Sequence, residues 1–412
     1  MRRFINFGLI FYLSSFCVDG ALRYGLHLVG LEQLIYARDG VLLLLLMLLL
    51  AQSVRRAPDA LVWWVLAALL LHVGVGLLYL QDVQQVVFGL KMLLPLLLGV
   101  LVSERIPERF SAANVVAGVI FLVTASGVFI NWFYEFPWEG LRYVVDGKQI
   151  SASLRWWSNE ERRLAGFTRA SYEAALYLLL SVFFLVAYTR SLFMRIILWL
   201  IAGGAIWLTT TKGILLVWAL MTVLFAVREL RLLRPATLLQ ALWLPAGLMV
   251  LMPMWSAAFP YRFEKTLALQ RSFAYSYIDR FENTWPAAFD NIARHGDYLF
   301  GRGIGGIGTP QMYYEPALYN FADNLFVYMY TDFGIFALAY LLFVVLRLPL
   351  LKLEREKDLM MFCVAAMAFI FGITAAVLEN AWVAFLVGAL LMHLERRRQA
   401  LQHQPVMTAL PA

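Results

Sequence analysis

The sequence predicts an all-α fold: a single polytopic helical membrane domain over residues 1–412, with about 12 transmembrane helices and two longer extracytoplasmic segments, residues 133–167 and 256–320. Three observations carry this. Of the 412 residues, 62% are hydrophobic and only 15% are charged, where soluble domains carry charge on roughly a quarter of theirs. The mean hydropathy is +0.72. Apolar runs long enough to cross a hydrocarbon core, about 20 helical residues, recur from end to end and are interrupted by the two segments, both rich in arginine and aromatics.

The predicted spans are 4–28, 34–54, 59–80, 84–102, 111–132, 168–188, 192–209, 212–228, 236–255, 321–346, 359–378 and 380–394. They are predicted as helices because irregular backbone facing lipid leaves N–H and C=O groups unpaired. Met1-Arg2-Arg3 before the first run is compatible with a signal peptide, but no small-residue cleavage site follows. Asp19 and Arg23 interrupt the run, which reads as a retained first span. Basic residues then mark alternate connections: Arg55 and Arg56, Arg105 and Arg109, Arg190 and Arg195. Arg228, Arg231 and Arg234 follow, then Arg347, Lys352, Arg355 and Lys357, and finally Arg396, Arg397 and Arg398. Under the positive-inside rule these share the cytoplasmic side of a plasma membrane. Both termini are then cytoplasmic and both long segments face outward. Orientation also explains the net charge of +7, so no nucleic-acid partner is expected. Cys17 and Cys363 lie in apolar runs, which argues against disulfide or thiol chemistry.

The outer segments hold the residues able to do chemistry. Their arginines are Arg142, Arg155, Arg162, Arg163, Arg262, Arg271, Arg280, Arg294 and Arg302. Long loops translocate largely regardless of charge, so solvation explains most of them. Those nearest span ends are suited to hold a phosphate group at the membrane surface through paired hydrogen bonds. Trp132, Trp138, Trp156, Trp157, Trp255 and Trp285 fit an interfacial aromatic belt equally well as stacking platforms for sugars. Arg163-Leu164-Ala165-Gly166-Phe167 precedes the sixth span, and Arg169 and Glu173 follow at a four-residue spacing. The plain reading is a same-face ion pair; the functional reading is an arginine cluster over a helix N-terminus, which already favours an anion.

Thr209-Thr210-Thr211-Lys212-Gly213 is either a tight turn or a hydroxyl-and-cation patch for the same anion. The stretch from Gly301 to Gly308 contains G-x-G-x-x-G, but no strand or βαβ unit accompanies it, so a dinucleotide site is not expected. It reads as a flexible loop whose bare backbone, at Gly303 for example, can approach a ligand. Asp323-Asn324 opens the tenth span, either as a helix cap or as a general base aimed at a sugar hydroxyl. His295 is a second base candidate; His27, His72 and His393 have no evident partner. No metal-ligand spacing and no serine-nucleophile motif is present, so neither metal nor cofactor is expected.

Together these pieces resemble the O-antigen ligase and Wzy-type polysaccharide polymerase superfamily over residues 163–334. Arg163-x-x-Gly166-Phe167 is similar to its arginine–glycine motif before a span. Thr211-Lys212-Gly213 is similar to its Ser-Arg-Gly turn, and Arg280 with Trp285 to the start of its amphipathic loop helix. Residues 299–305 are similar to its glycine-rich stretch, and Asp323-Asn324-Leu325-Phe326 with Asp332-Phe333-Gly334-Ile335 to "H-N-x-Y-L … E-x-G-I". The resemblance implies metal-independent glycosyl transfer from an undecaprenyl-diphosphate-linked glycan in the bacterial inner membrane, beside membrane lipid and other polysaccharide assembly proteins. It implies substrate contacts at Arg163, Arg169, Arg280, Arg302 and Lys212, with Gly166, Gly303 and Asn324, and a base at Asp323. The family's ligases have histidine where this chain has Asp323, which favours polymerisation of repeat units over ligation to lipid A–core. A non-enzymatic polysaccharide transporter or flippase is the other class. Transporters place polar groups near the bilayer midplane, where Lys91 and Glu379 are the nearest charges in this chain.

Overall fold

The computed structural model describes residues 2–55, 59–106, 112–145, 148–158, 161–264 and 275–402; Arg56, Arg109 and Arg271 lie outside them. Helices dominate: α1 (Arg2–Ser15), α2 (Asp19–Leu28), α3 (Ala37–Arg55), α4 (Ala60–Tyr79), α5 (Val83–Val102) and α6 (Ala112–Phe133) precede the first long segment. After it come α7 (Ser171–Tyr188), α8 (Leu192–Leu208), α9 (Lys212–Glu229), α10 (Pro235–Ala241) and α11 (Trp243–Ala258). The second long segment holds α12 (Tyr275–Asp279), α13 (Trp285–His295) and α14 (Thr309–Tyr314). The chain finishes with α15 (Leu325–Phe333), α16 (Phe336–Arg347), α17 (Glu356–Gly372) and α18 (Ala381–Gln402).

Seven helical stretches are long and apolar enough to cross a membrane: Arg3–Leu28, Glu32–Arg55, Ala60–Tyr79, Val83–Val102, Asn114–Phe133, Ser171–Tyr188 and Pro235–Ala258. Leu192–Leu208 and Phe336–Leu350 are apolar but shorter, and α9, α17 and α18 occupy the positions of the remaining predicted spans. The tenth predicted span is broken. Gly334 adopts φ +58 between α15 and α16, and the chain at Leu299 and Gly301 packs against it so closely that a Cβ would fall 2.2 Å from the Leu299 carbonyl oxygen.

Helices α4, α6, α7 and α9 are apolar on nearly every side, so their burial is set by position within the bundle. Helices α7 and α17 are buried along nearly their whole length and form its interior. Helices α5 and α18 pack backbone to backbone. Gly99 meets the Phe385 carbonyl and Gly388 the Leu96 carbonyl at distances that exclude any side chain, the small-residue device of membrane helix pairs. Charges among the first helices are paired, which offsets the cost of burying them. Asp19, which interrupts the first run, lies 2.9 Å from Arg23 and 2.8 Å from Arg38. Lys91, read from sequence as a midplane charge, pairs with Asp39 at 2.9 Å.

The first long segment departs from all-α. It folds into two small antiparallel hairpins, β1 (Arg142–Val145) with β2 (Lys148–Ser151) and β3 (Trp157–Ser158) with β4 (Glu161–Arg162). Tyr143 and Ala152 form a separate small core there, covered by Trp138, Leu141 and Ile150.

Candidate functional site

The strand-to-helix strap at residues 163–170 is pinned on both sides. Gly166 adopts φ +61 and lies so close to α6 that a Cβ would fall 2.8 Å from Val128 N. Asn131 Oδ1 accepts from Gly166 N at 3.1 Å, and Trp138 Nε1 donates to the Gly166 carbonyl at 3.1 Å. Gly20 N donates to the Phe167 carbonyl at 2.9 Å. The predicted substrate residue Gly166 thus serves to seat the strap, which fixes where its two arginines emerge.

Neither arginine forms an ion pair among the described residues, although the charge of Arg169 acts on the nearby Glu173 and Asp19. The Arg163 guanidinium lies 5.5 Å over the Trp156 ring, and its Nη2 is 3.4 Å from Thr211 Oγ1. Its Nε is buried with no partner. No carboxylate pairs with it among the described residues, and burial pulls its pKa below the ordinary arginine value. Arg169 Nε is likewise buried and unpartnered. The expected Arg169–Glu173 ion pair is not made. Helix α7 starts at Ser171 after Ala170, whose φ of −145 and ψ of 150 are extended, so Arg169 precedes the helix and the four-residue spacing does not put both on one face. Ser171 Oγ and Thr210 Oγ1 are also buried without partners. Two of these orphan donors, on Arg169 and Ser171, border the start of α7, an 18-residue helix whose N-cap supplies no side-chain oxygen, and the other two, on Arg163 and Thr210, lie where the strap meets the threonine turn. Buried polar groups are normally satisfied. Orphan donors at a helix N-terminus are what an anion's oxygens would satisfy.

The threonine turn closes one side of this edge. Thr209 Oγ1 donates to Thr211 Oγ1 at 3.0 Å, and Thr211 carries that chain of hydroxyls to Arg163. Lys212 is half-buried at the first position of α9. Gly213 packs against Phe371 and Thr374, at the end of α17.

A second edge is acidic. Arg280 Nε lies 3.0 Å from Asp323 Oδ2, and Arg280 Nη1 donates to the Ser276 carbonyl at 2.9 Å. Two predicted site residues thus meet, but as partners of one another. Burial raises the Asp323 pKa, and Arg280 opposes that rise. The cap of α15 is Asn324, whose Oδ1 accepts from Val327 N at 3.0 Å. Asn324 is wholly buried, and its Nδ2 donates to the Met249 and Ile373 carbonyls at 3.0 and 3.2 Å. It holds three segments together and has no group left for a substrate. Asp323 is the non-capping member of the pair. With Ala322 it adopts positive φ, +45 and +59, a costly state for residues other than glycine.

Glu379 is a further acid, held from the second long segment by Thr309. It lies between α17 and α18, with Thr309 N 2.7 Å from Oε1 and Thr309 Oγ1 3.1 Å from Oε2. Its charge acts on Asp323 and on Tyr172. Tyr172 stacks on Trp156 at 6.0 Å between centroids, and Trp156 underlies Arg163. The sequence alone places Glu379 among the midplane charges. Its signal was a lone polar pair, Glu379-Asn380, between two apolar runs.

The glycine-rich loop overturns its expectation. Residues 301–308 are buried, and their bare backbone approaches helices. A Cβ on Gly303 (φ +80) would fall 2.0 Å from Gly76 N of α4, and one on Gly305 2.7 Å from the Gln85 carbonyl of α5. Arg302, predicted to bind substrate, is 1% exposed. It donates to Glu315 Oε1 and Oε2 at 2.9 and 3.0 Å, to the Gly306 carbonyl at 2.8 Å and to the His295 carbonyl at 3.3 Å. It is an internal clamp.

Other outer arginines are matched as well: Arg155 with Glu135 at 2.7 Å, Arg162 with Glu139 at 3.3 Å, and Arg294 with Asp290 at 2.8 Å. Arg262 donates to Asn283 Oδ1 at 3.0 Å, and Arg142 is exposed. The tryptophans divide in the same way. Trp132 and Trp255 are about 60% exposed, as belt residues are, whereas Trp285 is buried and its Nε1 donates to the Asp323 carbonyl at 3.4 Å. His295 is exposed. His27 and His393, for which sequence named no partner, lie 2.8 Å from Glu32 and 2.5 Å from Asp358.

The apolar helices are compatible with a multi-pass membrane protein, and the candidate residues fall into a cationic group at Arg163 and Arg169 and an acidic one at Asp323 and Glu379. No family model matches the chain, and no curated protein or solved structure matches it either.

Proposed function

We propose that this protein transfers glycan from a polyprenyl-diphosphate-linked donor at the outer face of a bacterial plasma membrane, polymerising repeat units of an exopolysaccharide or O-antigen. The observation that carries this is the set of unmatched buried donors at Arg163, Arg169, Ser171 and Thr210. A buried donor left without a partner costs about 1–3 kcal/mol. A diphosphate supplies both the charge and the acceptor oxygens, and its lipid tail brings it to this depth. In the transfer, an acceptor sugar hydroxyl attacks the anomeric carbon and the diphosphate departs with the bonding electrons. Arginines placed at the leaving group offset the charge that develops. The acceptor's proton goes to the acidic edge, where Asp323 and Glu379 lie. Twelve spans, both termini cytoplasmic and both long segments outside complete the proposal, because that topology puts the site where the donor is exposed.

The test is the gel profile of surface polysaccharide from a deletion strain complemented with wild type or with Arg163→Ala. Wild type restores the ladder, and the variant inserts in the membrane but makes no polymer. A wild-type ladder from the variant sinks the assignment. A deletion strain with full-length polymer on carrier lipid and uncapped lipid A–core identifies a ligase, and one with no exported glycan identifies a transporter.

A further inference from the structure

The acidic edge holds two carboxylates whose partners differ in kind. Asp323 is balanced by Arg280 at 3.0 Å. Glu379 forms no ion pair among the described residues and accepts only from Thr309 N and Thr309 Oγ1. The turn before Thr309 closes directly on this acid: a Cβ on Gly308 would fall 2.0 Å from Glu379 Oε1. The connection that carries Glu379, residues 373–380, also touches the site's other elements. The Ile373 carbonyl receives Asn324, Thr374 lies against Gly213 beside the threonine turn, and Asn380 Nδ2 donates to Tyr177 of α7 at 3.3 Å.

We propose that Glu379 is the catalytic base of the transfer, and that Asp323 is a positioning residue that holds Arg280. The proposal rests on the glycosyl-transfer reading above and assigns the proton's destination within it. A carboxylate in an ion pair is made less basic by its partner, whereas one held only by neutral donors keeps its affinity for a proton. The titratable groups around Glu379 are Tyr172 of α7, Tyr319 and Asp323 of the second segment, and Tyr328 and Asp332 of α15. None is a cation. Burial, helped by the nearby Asp323 and opposed by Thr309, pushes the Glu379 pKa up to about 7. A base is most effective when its pKa lies near the working pH. In the step, the acceptor hydroxyl oxygen forms a bond to the anomeric carbon as its proton passes to a Glu379 carboxylate oxygen. The bond from the anomeric carbon to the diphosphate oxygen breaks, and the electron pair leaves with the diphosphate. The proton is then released to water.

The experiment uses purified full-length protein in proteoliposomes, fed lipid-linked repeat units extracted from the deletion strain, with undecaprenyl diphosphate as the binding probe. Wild-type kcat should rise with pH through about 7, as Glu379 loses its proton. Glu379→Gln keeps an oxygen for Thr309 N but takes no proton. It should lower kcat by about 100-fold or more, abolish the acid limb and leave undecaprenyl diphosphate binding unchanged. Asp323→Asn should keep the limb. Wild-type kcat and an intact limb in Glu379→Gln, or loss of the limb in Asp323→Asn, overturns the assignment. Should the glutamine variant fail to insert, Glu379→Asp decides: the limb shifts if Glu379 is the base and stays in place if it is not. A wild type that neither binds undecaprenyl diphosphate nor makes polymer refutes the glycosyl-transfer reading itself, and the base assignment with it.

Discussion

Arg302 in the glycine-rich loop and Arg163 before α7 come from the two outer segments, and both are drawn into the protein. Around Arg302 every direction is filled, with Glu315 on one side and the Gly306 and His295 carbonyls on the others. Around Arg163 there is an aromatic face, one hydroxyl and an orphan Nε. One arginine neutralises charge the fold already contains, and the other brings in charge that the fold leaves open. Residue type and loop location are the same in both, so neither distinguishes a clamp from a ligand group. The inventory of partners does.

The largest expected effect tests the clamp. Arg302→Ala leaves the Gly306 and His295 carbonyls without their donor and Glu315 without its cation. Breaking such a buried pair costs about 3–5 kcal/mol, so the variant should fail to accumulate in the membrane, read by quantitative immunoblot. Normal accumulation would mean the loop is not held by Arg302. Next comes the open arginine. Arg163→Ala removes a charge with no internal partner, so the thermal midpoint of the detergent-solubilised protein should hold or rise while polymer formation is lost. A stability loss as large as that of Arg302→Ala would place Arg163 among the clamps. Thr211→Val takes away one hydroxyl that meets Arg163. A single hydrogen bond is worth about 0.5–1.5 kcal/mol, so undecaprenyl diphosphate affinity should fall roughly 2- to 10-fold by equilibrium binding. The smallest effect belongs to Arg294→Ala, where a highly exposed pair with Asp290 is lost. Exposed pairs contribute about 0–1 kcal/mol, and both abundance and polymer should match wild type.

Much of the fold was legible because lipid imposes simple rules. Apolar runs marked the helices, the first of them from Arg3 to Leu28 with Asp19 and Arg23 inside it. The hairpins around Tyr143 and Trp157 were not legible, since short strands in a polar segment carry almost no periodic signal. The glycine-rich loop was misjudged for a physical reason. Glycine permits close approach, and sequence cannot say whether what approaches is a ligand or, as at Gly303, the backbone of α4. Asp323 and Asn324 were equal candidates for a cap. The extended φ of −165 at Asn324 gave it the cap, which freed Asp323 for Arg280. Arg163 and Arg169 were visible through their place beside a span, but their unpartnered Nε atoms were not, because these depend on Arg169 preceding a helix that begins at Ser171 and on Arg163 reaching Thr211 instead of a carboxylate. Glu379 was passed over because its role comes from Thr309 and Asp323, both more than fifty residues away in sequence.

The central claim is that the unmatched donors at the start of α7 hold a lipid-linked diphosphate. Its most direct measurement is the affinity of the purified protein for undecaprenyl diphosphate, with and without Arg163→Ala and Arg169→Ala together. Charge-assisted hydrogen bonds contribute about 1.5–3 kcal/mol each, so the double variant should bind roughly 100-fold more weakly or worse while keeping its wild-type melting behaviour. Equal affinity in the two proteins would contradict the account.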